Sequence, residues 1–176
     1  MHTSFVRNSF KMKKFSQAFV LIFSFLSLTL PARENPVELG AVAWNRDMDM
    51  ARQMAKETDK PILILFQEVP GCMTCQRYGN LVLSHPLIVE TIETHFVPLA
   101  IYNNKGGKDR EVLNYFNEPT WNNPVVRIVD ADRKNLLPRL NADYSPAGLV
   151  SYMIRALQLE GVPIPGYLQL LEEELQ

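Results

Sequence analysis

The hydrophobic pattern is dominated by an uninterrupted apolar run, Pro61-Ile62-Leu63-Ile64-Leu65-Phe66, closed by Lys60-Pro61 on one side and Pro70-Gly71 on the other. A run of this length without polar alternation fits a strand covered on both faces of a sheet. Phe96 to Tyr102 and Val125 to Val129 read as two more strands, Leu136 to Leu140 as a fourth, and Ala41 to Trp44 as a short fifth. Pro98 and Pro138 cannot donate to a ladder, which places their strands at an edge or beside a short neighbour.

Between these runs the apolar spacing turns helical. Asp47 is an N-cap for a helix with Met48, Ala51, Met54, Ala55 and Thr58 on one face, and the methionines at this spacing read as a packing face, not a soft-metal stripe. A helix starts at Cys72, and Gly79 marks a bend or break in it. Ser84 as N-cap and Pro86 in the first turn open a helix with Leu87, Ile88, Thr91 and Ile92 inward and His95 at its end as a dipole partner. Residues 109–116 carry Val112, Leu113 and Phe116, after a turn-rich loop at 103–108 whose glycine spacing does not match a phosphate loop. Asp130 to Asn135 is a hairpin loop. Ser145-Pro146 begins a helix bearing Leu149, Val150, Met153, Ile154 and Leu157 and ended by Gly161, and Pro163 and Pro165 lead to a last short helix, Tyr167 to Leu175, a candidate partner surface. Strands alternating with helices predict an α/β fold with a central mixed sheet and helices on both faces.

Chemistry enters with Cys72-Met73-Thr74-Cys75, which contains both cysteines of the 176-residue chain. Thiols three positions apart on a helix's first turn lie close together, and the free N–H groups and positive dipole end there favour a thiolate. Cys72 is the candidate nucleophile and Cys75 the resolving thiol. His2, His85 and His95 show no ligand spacing to the pair, so no metal is assigned. A structural disulfide is the alternative.

The order strand, CxxC, helix resembles the thioredoxin superfamily. Lys60-Pro61 before the strand, the cysteine pair at its end, and Ser84-His85-Pro86 after it are similar to the bacterial periplasmic thioredoxin-like type that includes the C-terminal domain of the thiol reductase DsbD. The likeness spans roughly residues 41 to 160 and implies thiol–disulfide exchange without a cofactor. It also implies a cis proline at Pro124, facing the CxxC, with the backbone of Asn123 turned to an extended substrate. The chain departs from the family at two places. Gly71 stands where Trp is common before the first Cys, and Leu65 stands at the place of the usual buried acid, leaving Glu68 as the candidate for proton transfer. Trp121 either lines the groove opened at Gly71 or is a core residue.

Composition narrows the setting. At 47% hydrophobic and 21% charged the chain reads as one globular domain, residues 33–176, after an exported leader. Arg7, Lys11, Lys13 and Lys14 precede an uncharged run from Phe15 to Ala32, and the first 32 residues hold no acid, which is a secretory signal pattern. Met12 opens a shorter version of it, and cleavage is expected after Ala32. An uncleaved anchor is the rival, opposed by Pro31 and by the polar breaks Ser16, Gln17, Ser24, Ser27 and Thr29. Removing the segment takes four of 18 bases and none of 19 acids, leaving 14 against 19 and a net charge of −5. No support for nucleic-acid binding remains. The expectation is a monomeric exported, periplasmic thiol–disulfide oxidoreductase, more reducing or isomerising than oxidising because Met73 and Thr74 bring no positive charge to Cys72. Its partners are thiols and disulfides of exported clients and a thiol electron donor. A binding module with a structural disulfide and a copper-handling protein are the alternatives.

Overall fold

In the computed structural model, residues 35–176 are described. The leader read at residues 1–32 lies outside them. Strand β1, Ile62–Gln67, lies between β2, Val97–Tyr102, which runs parallel to it, and β3, Val125–Val129, which runs antiparallel; β4, Leu140–Asn141, completes the order β2-β1-β3-β4. Every residue of β1 is buried, because both faces of the sheet are covered. Ile62, Ile64 and Phe66 point to α1, Met48–Thr58, and α4, Lys108–Phe116, where they meet Ala51, Leu113 and Phe116. Leu63 and Leu65 point the other way, into a larger cluster with Tyr78, Ile88, Ile92, Leu149 and Met153. Those residues come from α2, Met73–Leu81, α3, Pro86–His95, and α5, Pro146–Leu159. Full burial of each such apolar side chain contributes about 1.5–3 kcal/mol, so a strand apolar at every position but its last, Gln67, is what a two-faced sheet selects.

Edges and helix ends differ from the sequence reading. Ala41 to Trp44 is not a strand: one residue, Asn45, bridges Leu99, donating its N–H to Pro98 O at 2.9 Å and accepting from Ala100 N at 3.0 Å. Pro98 turns its carbonyl, and with it the missing donor, to that nearly unpaired edge. Leu136 to Leu140 is not a strand either. Asp130 accepts the N–H groups of Asp132 and Lys134, Asn135 makes one bridge to Val129, Leu137 turns into the core, and pairing resumes only at Leu140. Ser84 does not cap α3. His85 occupies the cap position without a side-chain bond, Pro86 is in the first turn, and the Ser84 hydroxyl donates to Gly79 O at 2.9 Å. Leu87 and Met54 lie on the exposed side of their helices.

Gly79 neither bends nor breaks α2. A Cβ there would lie 1.9 Å from the carbonyl oxygen of Val37, so the glycine lets a short 3-10 helix, Val37–Leu39, lie directly on α2. Leu39 and Trp44 are thereby buried, the Trp44 indole N–H donating to Leu39 O at 2.8 Å. The last helix, α6, Gly166–Leu175, turns Leu168 and Leu171 into the larger cluster against α5 and α3, while Leu170 stays exposed. Its apolar face is thus spent inside the domain. Among the described residues no helix is long and apolar enough to cross a membrane.

Candidate functional site

Residues 68–71 carry the chain from the end of β1 to α2, and the Val69–Pro70 peptide among them is cis, a feature the sequence reading missed. Cys72 takes the N-cap position with extended backbone, φ −72° and ψ 175°, so its sulfur stands in front of the helix's unpaired N–H groups. Cys75, one turn on, is fully buried while Cys72 is exposed; both are free thiols with their sulfurs 3.7 Å apart.

This difference in setting separates their acidities. The backbone N–H of Cys75 stabilises the Cys72 thiolate, and despite some desolvation the Cys72 thiol is held below its ordinary value, with the Cys75 side chain and Thr74 N–H adding to the effect. Burial pushes Cys75 up to about 12, aided by its hydrogen bond to Cys72 and the neighbouring charge. As pH rises Cys72 loses its proton earlier than a free thiol, and Cys75 keeps its proton far into the alkaline range. Limited alkylation of the reduced protein between pH 6 and 9 should therefore label Cys72 at a rate that levels off at lower pH than for a model thiol, with Cys75 unlabelled. Mass mapping that finds the label on Cys75 first would reverse the two roles.

Opposite the thiols lies the loop before β3. Its start is fixed by Glu118, whose fully buried carboxylate accepts from Arg127 Nε at 2.8 Å and Nη2 at 2.6 Å and is also paired with Arg139. A buried charge is tolerated when it is paired and hydrogen-bonded in this way. Its end brings Asn123 to the pair: the Cys75 thiol donates to Asn123 Oδ1 at 2.6 Å. The Asn123–Pro124 peptide is cis, the geometry that the family resemblance implied. Asn103, itself buried, donates to Asn122 O at 2.9 Å and steadies the same loop. Trp121 is 80% exposed, which overturns the core alternative for it.

Two further expectations take a definite geometry. Glu68 is half-buried, with a carboxylate oxygen within 4.8 Å of both sulfurs. Gly71 is packed so tightly that a Cβ would lie 2.4 Å from Glu68 O and 2.7 Å from the Cys75 Cβ, so this loop excludes any side chain where the family commonly has Trp.

Two residues at the site were not foreseen. Glu38, only 3% exposed, accepts the Gly71 N–H on its carboxylate at 2.7 Å. Gln67, the last residue of β1, donates from Nε2 to Glu38 O at 2.8 Å and to Cys75 O at 3.2 Å. Together they tie the 3-10 helix, the strand and the redox helix at one point. Nothing in the local sequence marks Glu38, which lies 33 residues from its partner in a stretch without periodicity.

The chain belongs to the thioredoxin-like family, whose profile matches residues 43–131, half of its length. No curated protein sequence matches it. Among solved structures it is similar to a DsbH oxidoreductase, at 18% identity and a TM-score of 0.57 over 76% of this chain and 94% of that one. A thioredoxin from Thermus thermophilus is similar at 17% identity and a TM-score of 0.58, over 68% of this chain and 90% of that one. At such identities these likenesses establish the shared fold and no more.

Proposed function

We propose that the protein is an exported thiol–disulfide oxidoreductase that reduces or isomerises client disulfides through Cys72 and Cys75. The observation that carries this reading is the asymmetry of the pair: an exposed, acidified thiol at a helix N-terminus beside a buried, weakly acidic one 3.7 Å away. The Cys72 thiolate attacks one sulfur of a client disulfide; a Cys72–client disulfide forms and the other client sulfur leaves as a thiolate. Cys75 then gives up its proton and attacks Cys72 Sγ, forming the Cys72–Cys75 disulfide and releasing the second client thiol. Two electrons pass to the client, and an external dithiol returns them to the pair. Asn123 Oδ1 holds the Cys75 proton until the mixed disulfide forms, and the Glu68 carboxylate, within 4.8 Å of both sulfurs, then takes it. Asn123-Pro124, Gly71 and exposed Trp121 line the approach of the client strand.

A reducing direction is supported by the modest means of thiolate stabilisation, which consist of backbone N–H groups and the neighbouring thiol without a cationic side chain. Export is supported by the basic and then apolar pattern of residues 1–32, and periplasmic placement and a monomeric state are part of the same proposal. The test is catalytic reduction of a protein disulfide with dithiothreitol as donor, together with the reduction potential of the pair. Turnover that is lost in Cys72→Ser, with a potential nearer to thioredoxin (about −270 mV) than to DsbA (about −120 mV), is expected. A folded protein without turnover would instead make it a binding module with the same fold.

A further inference from the structure

We propose that the reduced thiols and Glu68 form a binding site for one Zn2+ ion, which caps the pair when no client occupies it. Among the described residues, Glu68, Cys72 and Cys75 are the one group of metal-ligating side chains whose donor atoms converge, all within 4.8 Å of one another. The spacing of the two sulfurs is that of one edge of a coordination tetrahedron, and the carboxylate oxygen closes on them from within 4.8 Å. Zinc–thiolate bonds of about 2.3 Å at a tetrahedral angle subtend an S···S edge of about 3.8 Å, and the two sulfurs stand 3.7 Å apart. The dithiol thus spans that edge without rearrangement.

The backbone that carries the third ligand is anchored beside the thiols. Glu68 follows β1 directly, and the next residue, Val69, is tied by its N–H to Asn104 Oδ1 at 3.3 Å. Gly71 packs closely on the buried sulfur, where even a Cβ would come within 3.2 Å of Cys75 Sγ, so no side chain from that position stands over the thiols. Asn123 Oδ1, 2.6 Å from the same sulfur in the free dithiol, is then available to a water in the fourth position. Three protein ligands and one open position describe an exchangeable site, unlike the closed four-ligand sites that only support a fold.

The donor set selects the metal. Two thiolates disfavour Mg2+ and Ca2+, which take oxygen, whereas a carboxylate adds little for Cu+, which is satisfied by sulfur alone. Zinc accepts both donor types. On binding, two Zn–S bonds and one Zn–O bond form, the protons still on the thiols pass to the buffer, and nothing is oxidised or reduced. The Cys72–Cys75 disulfide has no thiolate to offer, so oxidation discharges the ion, and a capped pair cannot attack a disulfide until a chelator removes it.

Metal binding is measured on the reduced protein with no client present, so its outcome is separate from that of the exchange reading. ZnCl2 is titrated against a chromophoric zinc chelator. The expected result is one zinc per chain, loss of binding in Cys72→Ser, in Cys75→Ser and in the oxidised protein, and affinity weakened at least about tenfold in Glu68→Gln, the lower end for losing even a supporting group. Glu68→Asp, which keeps the carboxylate on a shorter arm, should fall between Gln and the unaltered protein. Zinc bound equally by Glu68→Gln, one zinc shared by two chains, no binding, or preference for Cu+ with Glu68 irrelevant would each overturn the proposal.

Discussion

Replacing Cys75 by Ser is expected to turn the protein into a trap for its own clients. The attack by Cys72 needs only an exposed thiolate, and the backbone N–H groups that stabilise it at the start of α2 are untouched by the substitution. Release needs a second sulfur within reach, and at 3.7 Å Cys75 is the group that supplies it. With Ser at that position the mixed disulfide persists, so covalent complexes accumulate and vanish on reduction. Cys72→Ser should trap little, because the remaining thiol is buried, and burial is the largest cause that holds its proton on. Non-reducing electrophoresis of each variant from an exporting cell, with bands identified by mass spectrometry, gives the comparison. Equal and negligible trapping by two folded variants would contradict the oxidoreductase reading.

Gly79→Ala is expected to destabilise the domain strongly. Helix propensity alone favours alanine by about 1 kcal/mol. The added Cβ, however, would lie 1.9 Å from Val37 O and 2.7 Å from Glu38 C, both backbone atoms that no rotamer change can move aside. The 3-10 helix must lift from α2, uncovering Leu39 and breaking the Glu38 bond to Gly71. A net loss of roughly 3 kcal/mol is expected, the upper part of the usual range for overpacking. It should appear as a lower urea midpoint, together with an altered alkylation rate of Cys72 as the Gly71 loop loosens. An unchanged midpoint would mean that Val37–Leu39 does not rest on α2.

What the chain discloses about itself divides along a physical line. β1, β2, β3 and the long helices are specified by apolar runs or helical spacing over five or more residues, and they stand where the pattern placed them. Short edges and helix ends are settled by single long-range bonds: Asn45 to Pro98 and Ala100, the Asp130 turn, Ser84 to Gly79. Local pattern carries no information on those. The cysteine pair is legible because both sulfurs lie within four residues, and Asn123-Pro124 because the family resemblance marks it. Glu38 and Gln67 reach the pair through space alone, and tight packing, not helix bending, explains Gly79.

The 3-10 helix also makes the two ends of the domain unequal in their connection to the thiols. Asn35 fastens its amide to Gly40 O at 2.9 Å and Val42 O at 2.8 Å, and the segment then bears on α2 at Gly79 and on the thiol loop through Glu38 and Gly71. Asn35 is therefore linked through direct contacts to the helix and loop that carry the cysteines. A tether fixed at that end is coupled to the reactive pair, whereas one fixed after α6 pulls on a helix seated against α3 and α5, away from it.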